Sequence, residues 1–273
     1  MRNYRSTPVY AVLAALLVFA IGPLVVLVFN ALKTRREAAT DAIGPPSSVR
    51  LQNFVDAFDQ GNLGQTMLNS ALITTGTVIG VCVIAGLAAY ALTRLEIRGG
   101  GAVTAYLLVA TAIPAQLFLV PLFFLWTNLG LYDSRIGLVV IYWALYSPLA
   151  TLLLRSYFVG LPRDFEDAAR IDGAGELRVL RDVVLPLARP GLTTVALVVG
   201  LFAWNEFFFA ITFLQDDSKM PVVTSYLAFT QSFTRDWTLT SAAALIIVLP
   251  VLVLFIGLQR KFIDGLTASG LKG

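Results

Sequence analysis

The sequence predicts an all-α integral membrane protein with six transmembrane helices. Of its 273 residues, 57% are hydrophobic and only 14% are charged, whereas soluble proteins carry about 25% charged residues. Charges are also absent from stretches of about 20 residues or more, the length that a helix needs to cross a hydrocarbon core of about 30 Å. The stretches without Asp, Glu, Lys or Arg are Ser6–Leu32, Gln60–Thr93, Gly99–Tyr132, Ile136–Leu154 and Trp237–Gln259. In a sixth stretch, Pro190–Gln215, Glu206 is the only charged residue.

Each stretch predicts one helix. The predicted spans cover residues 9–32, 67–93, 102–127, 135–155, 190–214 and 238–259. The first is too long for the core of a secretory signal, which has about 7–15 residues, and no A-x-A-like cleavage site follows it. In the second, Gly76-x-x-x-Gly80 favours close packing against another helix. In the third, Pro114 and Pro121 predict interruptions, which are tolerated where other helices or a cavity satisfy the freed carbonyls.

The distribution of Lys and Arg predicts the orientation, because cytoplasmic segments are enriched in both. It favours one transmembrane domain over residues 1–273, with both termini cytoplasmic, an extracytoplasmic loop at 33–66 and a cytoplasmic loop at 157–189. Six arginines flank or lie in the cytoplasmic loop: Arg155, Arg163, Arg170, Arg178, Arg181 and Arg189. Lys33, Arg35 and Arg36 oppose this orientation, because they follow the first helix on the predicted outer side.

The composition also excludes several classes of function. The chain has no histidine and a single cysteine, Cys82, which rules out an internal disulfide and argues against a Cys/His metal or haem site. Gly99-Gly100-Gly101 is followed by Ala-Val, so it is a turn and not part of a Walker A loop. We expect no catalytic residues and no bound metal. The net charge of +3 indicates membrane topology and not binding to nucleic acid.

Residues 161–190 predict two short helices outside the membrane. Asp164 is a candidate N-cap for the first, and Asp172-Gly173 ends it, with glycine available for a left-handed turn. Ala168 and Ala169 give this helix a small face that another protein could approach closely. The second helix is predicted to carry four apolar residues on one face: Leu177, Leu180, Val183 and Val184. On these physical grounds alone, an interfacial amphipathic loop remains an equal alternative.

The same loop resembles a known family pattern. Glu166-Asp167-Ala168-Ala169, Ile171-Asp172-Gly173-Ala174 and Leu185-Pro186 with Pro190 are similar to the "EAA" loop of ABC importer permeases. Ala203-Trp204-Asn205-Glu206-Phe207 and the tail from Gln259 to Gly273 are similar to the carbohydrate branch of that family. Together these features resemble the shorter permease of the maltose-type system. One departure is Asp167, which stands one methylene shorter than the family's glutamate.

The resemblance implies a permease subunit that forms half of a carbohydrate pathway in a bacterial or archaeal inner membrane. Its implied partners are membrane lipid, a second homologous permease, two cytoplasmic ATPases and an extracytoplasmic solute-binding protein. ATP and Mg would be bound by the ATPases, and no cofactor by this chain. The implied ATPase-docking residues are Glu166, Asp167, Ala168, Ala169, Asp172, Gly173, Ala174, Leu185 and Pro186, with Lys272 and Gly273 as further candidates in the tail.

Glu206 is the most unusual residue of the predicted spans, because a charge at mid-membrane costs roughly 2.5–3.5 kcal/mol. Asn205, Glu206 and Phe209 are therefore candidate pathway or substrate residues. A structural role for Glu206, hydrogen-bonded between helices, is the alternative. The competing function is an ion-coupled secondary transporter in which Glu206 exchanges a proton. That function leaves the 161–190 loop unexplained.

Overall fold

A computed structural model describes residues 7–95, 97–233 and 236–270, with side chains described from residue 9 to residue 259. Every regular element in these ranges is a helix. Two bent helix pairs raise the number of candidate spans to six if each pair is counted as one. The four helices long and apolar enough to cross a membrane unaided are Val9–Leu32, Leu63–Arg94, Arg135–Val159 and Trp237–Gln259. The all-helical prediction is confirmed, whereas the count of six and the side of each terminus stay predictions.

The chain divides into two compact units. One contains the residues up to Met67 together with Thr224–Pro250, and the other contains Leu68–Val223 together with the residues from Val251 onward. Helix α4 (Leu63–Arg94) begins in the first unit and continues in the second.

The first unit begins with α1 (Thr7–Leu32). None of the most apolar window of α1 is buried by the described part of the chain, so this surface is available to lipid or another protein. The segment predicted as a loop at 33–66 contains two short helices, α2 (Arg35–Thr40) and α3 (Gln52–Gln60).

Buried polar side chains form hydrogen bonds at the C-terminal end of α1. The ammonium of Lys33 is fully buried and donates to the carbonyl of Asp41 at 2.6 Å. The amide of Asn53 donates to the carbonyls of Ala31 and Lys33, each at 2.8 Å. These bonds satisfy carbonyls that a helix end leaves without partners. Lys33 thus has a structural reason for its position that is independent of membrane orientation.

In the second unit the predicted third span is sharply bent. Helix α5 (Gly100–Ala112) ends before Pro114, a 3-10 turn covers Ala115–Phe118, and α6 (Leu119–Asn128) follows. The two halves meet at 92°. The break at Pro114 agrees with the prediction, because proline cannot donate its nitrogen to the helix. Pro121 causes no second break, since it lies in the first turn of α6, where its missing N–H is not needed.

Helix α7 (Arg135–Val159) packs closely against α4. The indole of Trp143 donates to the carbonyl of Gly76 at 3.0 Å, and a Cβ at Gly80 would overlap the same indole. The small residues of α4 thus make room for a large side chain of α7, which is the close packing that Gly76-x-x-x-Gly80 predicts.

The remaining helices of the second unit start in the 157–189 loop. The loop holds α8 (Asp164–Ile171), α9 (Glu176–Val179), a π turn at Leu180–Val184 and α10 (Leu185–Leu187). Two helices of this unit come after it, α11 (Arg189–Asn205) and α12 (Phe208–Phe213), whereas α13 (Val222–Ser232) belongs to the first unit from Thr224 onward. The predicted fifth span, 190–214, is therefore broken at Glu206. The last helix, α14 (Trp237–Gly270), passes through both units.

Candidate functional site

The turn after α8 has the geometry that the sequence predicts. Gly173 has φ +82°, the left-handed conformation that glycine adopts without strain. Its N–H donates to the carbonyl of Arg170, and the N–H of Ala174 donates to that of Ala169, both at 3.0 Å. This pair of bonds is the Schellman motif, which satisfies the last carbonyls of a helix.

The start of α8 differs from the prediction. Asp164 is the first helical residue and not the N-cap, which is Arg163 without a side-chain capping bond. Asp164, Glu166 and Asp167 instead place three acids in the first turn, where negative charge interacts favourably with the helix dipole.

Glu166 is buried and forms an ion pair with the end of α4. Its Oε1 lies 2.8 Å from Nε of Arg94, and the two side chains are 1% and 3% exposed. Arg94 also donates to the carbonyl of Leu161 at 3.1 Å. Losing one partner of such a pair costs about 3–5 kcal/mol, because the other charge stays buried and unpaired. The pair therefore fixes α8 to α4, and Glu166 faces inward instead of toward a partner protein.

Arg170 connects the two halves of the loop. Its guanidinium lies 2.9 Å from Asp167 and 2.9 Å from Glu176, and the hydroxyl of Tyr90 on α4 also donates to Glu176. The hydrogen bond from Arg170, followed by that from Tyr90, lowers the pKa of Glu176. The hydrogen bond to Glu176 raises the pKa of Arg170. Both groups therefore stay charged, and α8, α9 and α4 are held together.

The second half of the loop packs into the core through a face that the sequence analysis assigned incorrectly. Of the predicted apolar face, Leu180 and Val184 are buried, Val183 is half-buried and Leu177 is 74% exposed, whereas Val179, outside that face, is fully buried. Leu177 and Val179 both lie in the single turn of α9, before the π turn, and Val179 packs into the core whereas Leu177 does not.

The exposed surface of α8 contains two apolar residues, Phe165, which the sequence analysis missed, and Ile171, which it named only as part of the loop pattern. Phe165 is 58% exposed and Ile171 is 86% exposed. Asp167 beside them is 62% exposed. Large apolar side chains in an otherwise charged, exposed helix are the signal that could have identified them, because such surfaces mark protein interaction sites.

The predicted docking residues thus fall into three groups. Asp167, Ala168, Asp172 and Gly173 are exposed, Ala169, Ala174, Leu185 and Pro186 are half-buried, and Glu166 is buried. Lys272 and Gly273 lie outside the described residues.

Glu206 stands at the break between α11 and α12. Its carboxylate accepts the N–H groups of Phe209 and Ala210, each at 3.0 Å, and the hydroxyl of Tyr142 at 2.7 Å. The first two bonds cap the N-terminus of α12, where donors would otherwise be unsatisfied. Glu206 is half-buried and makes the hydrogen bonds that the structural alternative requires, and its part in the pathway stays a prediction.

The two other candidate pathway residues are placed differently. Asn205 is exposed and donates to the carbonyl of Leu201 at 2.8 Å. Phe209 is 2% exposed and stacks on Phe213. Phe209 and Glu206 both line one cavity. Asn205 does not line it.

The chain thus combines broken apolar helices with a short exposed helix, α8, that is fixed to α4 by an ion pair. Comparisons with known proteins identify the family. Residues 80–267 match the family described as "Binding-protein-dependent transport system inner membrane component". The chain therefore belongs to this family, which confirms the resemblance and the multi-pass membrane location.

Relatives of known name are similar over nearly the whole chain. One is the melibiose/raffinose/stachyose import permease protein MelC of Bacillus subtilis, with 33% identity over 98% of both chains. Another is the trehalose transport system permease protein SugB of Mycobacterium tuberculosis, with 32% identity over 98% of this chain and 99% of the relative.

A solved structure has the same fold. It is the crystal structure of a bacterial ABC transporter involved in the import of the acidic polysaccharide alginate. The TM-score is 0.79 and the identity 23%, covering 96% of this chain and 99% of the other.

Proposed function

We propose that this chain is a carbohydrate permease subunit that forms half of a translocation pathway with a second, homologous permease. Two cytoplasmic ATPases would bind and hydrolyse ATP, and an extracytoplasmic binding protein would deliver the sugar. The family membership supports an importer, and the sugars named for MelC and SugB support the substrate class.

The observation that supports docking to an ATPase is the exposed surface of α8 together with its attachment to the rest of the chain. The helix exposes Asp167, Ala168 and Ile171, while the Glu166–Arg94 ion pair and the Gly173 turn hold it in place. An exposed helix on a rigid support suits insertion into a cleft on another protein. Of Glu166 and Asp167, only Asp167 is exposed and can reach a basic residue of an ATPase, although it also pairs with Arg170.

The test of this function is reconstitution of the complete importer in proteoliposomes. We expect ATP-dependent uptake of labelled melibiose, raffinose or trehalose, and co-purification of the ATPases with this chain. Uptake by this chain alone, without ATP, would contradict the proposal. It would instead support the ion-coupled transporter.

The membrane orientation needs a separate test. Because Cys82 is the single native cysteine, replacing it leaves each introduced cysteine as the one thiol that can react. In a Cys82→Ser background, a cysteine at Ser48 should react with an impermeant thiol reagent added to intact cells. A cysteine at Gly175 should react only after permeabilisation. The reverse pattern would place α8 outside and remove the docking role.

A further inference from the structure

A cavity of about 570 Å³ lies between the two broken spans of the second unit. We call it the break cavity; α5, α6, α7 and the Glu206 break all contribute to its walls. Its volume falls within the range of about 300–1,000 Å³ that small-molecule sites occupy.

The backbone around the break cavity is irregular in three places. The α5–α6 break at Ile113 and the break at Glu206 both border it. Pro148 of α7 also borders it, and this residue has no N–H to donate to the carbonyl of Ala144, another lining residue. Non-helical backbone is tolerated at membrane depth where it lines a water-filled cavity, and transporters place substrate sites at such discontinuous helices.

Two lining side chains hold hydrogen-bonding groups that are not used within the described part of the chain. The phenol of Tyr146 and the carboxamide of Gln116 both border the cavity without a hydrogen-bond partner among those residues. Tyr146 is held in place by ring contacts with Tyr142 at 5.6 Å and Phe202 at 5.8 Å. The cavity therefore has a fixed hydroxyl and an amide ready for a polar ligand.

Aromatic rings form much of the remaining wall. Phe202 is 46% exposed and Tyr106 is 69% exposed, and both border the cavity. The face of an aromatic ring carries partial negative charge, and the C–H groups on the face of a pyranose carry partial positive charge, so the two pack favourably. An aromatic wall with hydroxyl, amide and carbonyl groups suits a sugar.

The charged residues that line the cavity restrict the class of ligand further. No Lys or Arg lines it, and its one carboxylate, Glu206, already accepts three hydrogen bonds. An acidic saccharide would find no positive partner there, and a buried unpaired charge is strongly unfavourable.

We propose that the break cavity binds a pyranose unit of an uncharged saccharide during translocation. Tyr146, Gln116 and the Ala144 carbonyl take its hydroxyl groups, and Phe202 stacks on its ring. This inference rests on the proposed carbohydrate function and assigns a direct substrate contact to this subunit.

The test compares Tyr146→Phe and Gln116→Leu with the matched control Tyr157→Phe. Tyr157 lies on the same helix as Tyr146 but does not line the cavity. Tyr157→Phe therefore removes the same kind of hydroxyl group at a position outside the cavity. In the complete reconstituted importer, we measure uptake of labelled melibiose, raffinose and trehalose per ATP hydrolysed. We expect a loss of about twofold to tenfold for each cavity variant, the effect of one hydrogen bond, and none for the control.

The outcomes distinguish a failure of the proposed pyranose subsite, the break cavity, from a failure of the proposed carbohydrate function. If the wild-type importer takes up these sugars and both cavity variants match Tyr157→Phe, the subsite is wrong and the carbohydrate function stands. If the wild-type importer hydrolyses ATP but takes up none of them, the carbohydrate function fails and the subsite with it. Uptake of a glucuronate-containing disaccharide at the rate of a neutral one would overturn the assignment to uncharged saccharides.

Discussion

Two glutamates, Glu166 in the loop and Glu206 in the broken span, stabilise the fold by different means. Glu166 is paired with a buried guanidinium of Arg94, so its negative charge is what the site requires. Glu206 accepts two backbone N–H groups and the hydroxyl of Tyr142, so its acceptor oxygens are what the site requires. A buried carboxylate in a membrane protein is thus no evidence of proton coupling until its partners are known.

The largest expected effect is the loss of the buried ion pair. Glu166→Ala leaves the buried Arg94 without its carboxylate partner and should lower the free energy of unfolding by about 3–5 kcal/mol. Trypsin should then cleave the 157–189 loop faster, and the ATPases should no longer co-purify. The matched control is Asp182→Ala, which removes an exposed acid paired with Arg181 in the same loop and should change little. Equal effects of the two changes would contradict the anchoring role.

The next effect concerns the turn after α8. Gly173→Val forces a β-branched residue into the left-handed region and should cost about 1–2 kcal/mol or more. We expect ATP hydrolysis to become uncoupled from transport, measured as uptake per ATP. Gly175→Val is the control, since Gly175 has φ −73° and ψ 161°, and a Cβ there meets nothing within 4 Å. Full coupling in Gly173→Val would show that the turn is dispensable.

A smaller effect is expected at Glu206. Glu206→Gln keeps one acceptor oxygen for the cap of α12 and should cost about 1 kcal/mol, with most transport retained. Glu206→Leu removes all three bonds and should impair assembly, measured by yield and thermal stability. Abolished transport in a well-assembled Gln variant would restore the proton-coupling role.

The smallest effect concerns Asp133, a half-buried acid that combines both kinds of contact. Asp133 accepts a hydrogen bond from Lys219, and the N–H groups of Gln215 and Asp216 donate to it. Led by the bond from Lys219, these contacts lower the pKa of Asp133 from 3.8 to about 2. Such a group stabilises the fold above its ordinary pKa and loses this contribution as the pH falls through its folded pKa.

Hydrogen exchange of the Gln215 and Asp216 amides should therefore stay slow until the pH falls between about 4 and 2. Asp133→Asn, which tolerates the left-handed φ of 53° at this position, should speed the exchange already at neutral pH. Exchange that is unaffected by the substitution would mean that other contacts hold the loop.

The sequence predicts most of the helices and little of how they pair. Charge-free length locates the spans, and Pro114 and Gly173 mark the break and the turn, because these are local properties of the chain. The Arg94–Glu166 ion pair joins residues distant in sequence, so no local pattern indicates it. The assignment of Leu177 to the buried apolar face was wrong, because α9 is a single turn and the face that it buries is the one that carries Val179.

The break at Glu206 shows a further limit of sequence analysis. The charge pattern singles out Glu206, but no residue near it is a strong helix breaker, so the sequence reads as one continuous span. The break becomes intelligible only with the carboxylate bound to the N–H groups of the next helix. The side chain lies where one helix ends and caps the next, and it also accepts a hydrogen bond from the hydroxyl of Tyr142 on α7.

The preformed state of α8 has a consequence for the kinetics of assembly. Because α8 is already folded and fixed before any partner arrives, ordering this segment consumes none of the free energy of association. Binding should therefore resemble the docking of two rigid surfaces, without the delay of a coupled folding step. Loosening α8 at Gly173 or Glu166 would convert the same contact into one that must fold as it binds.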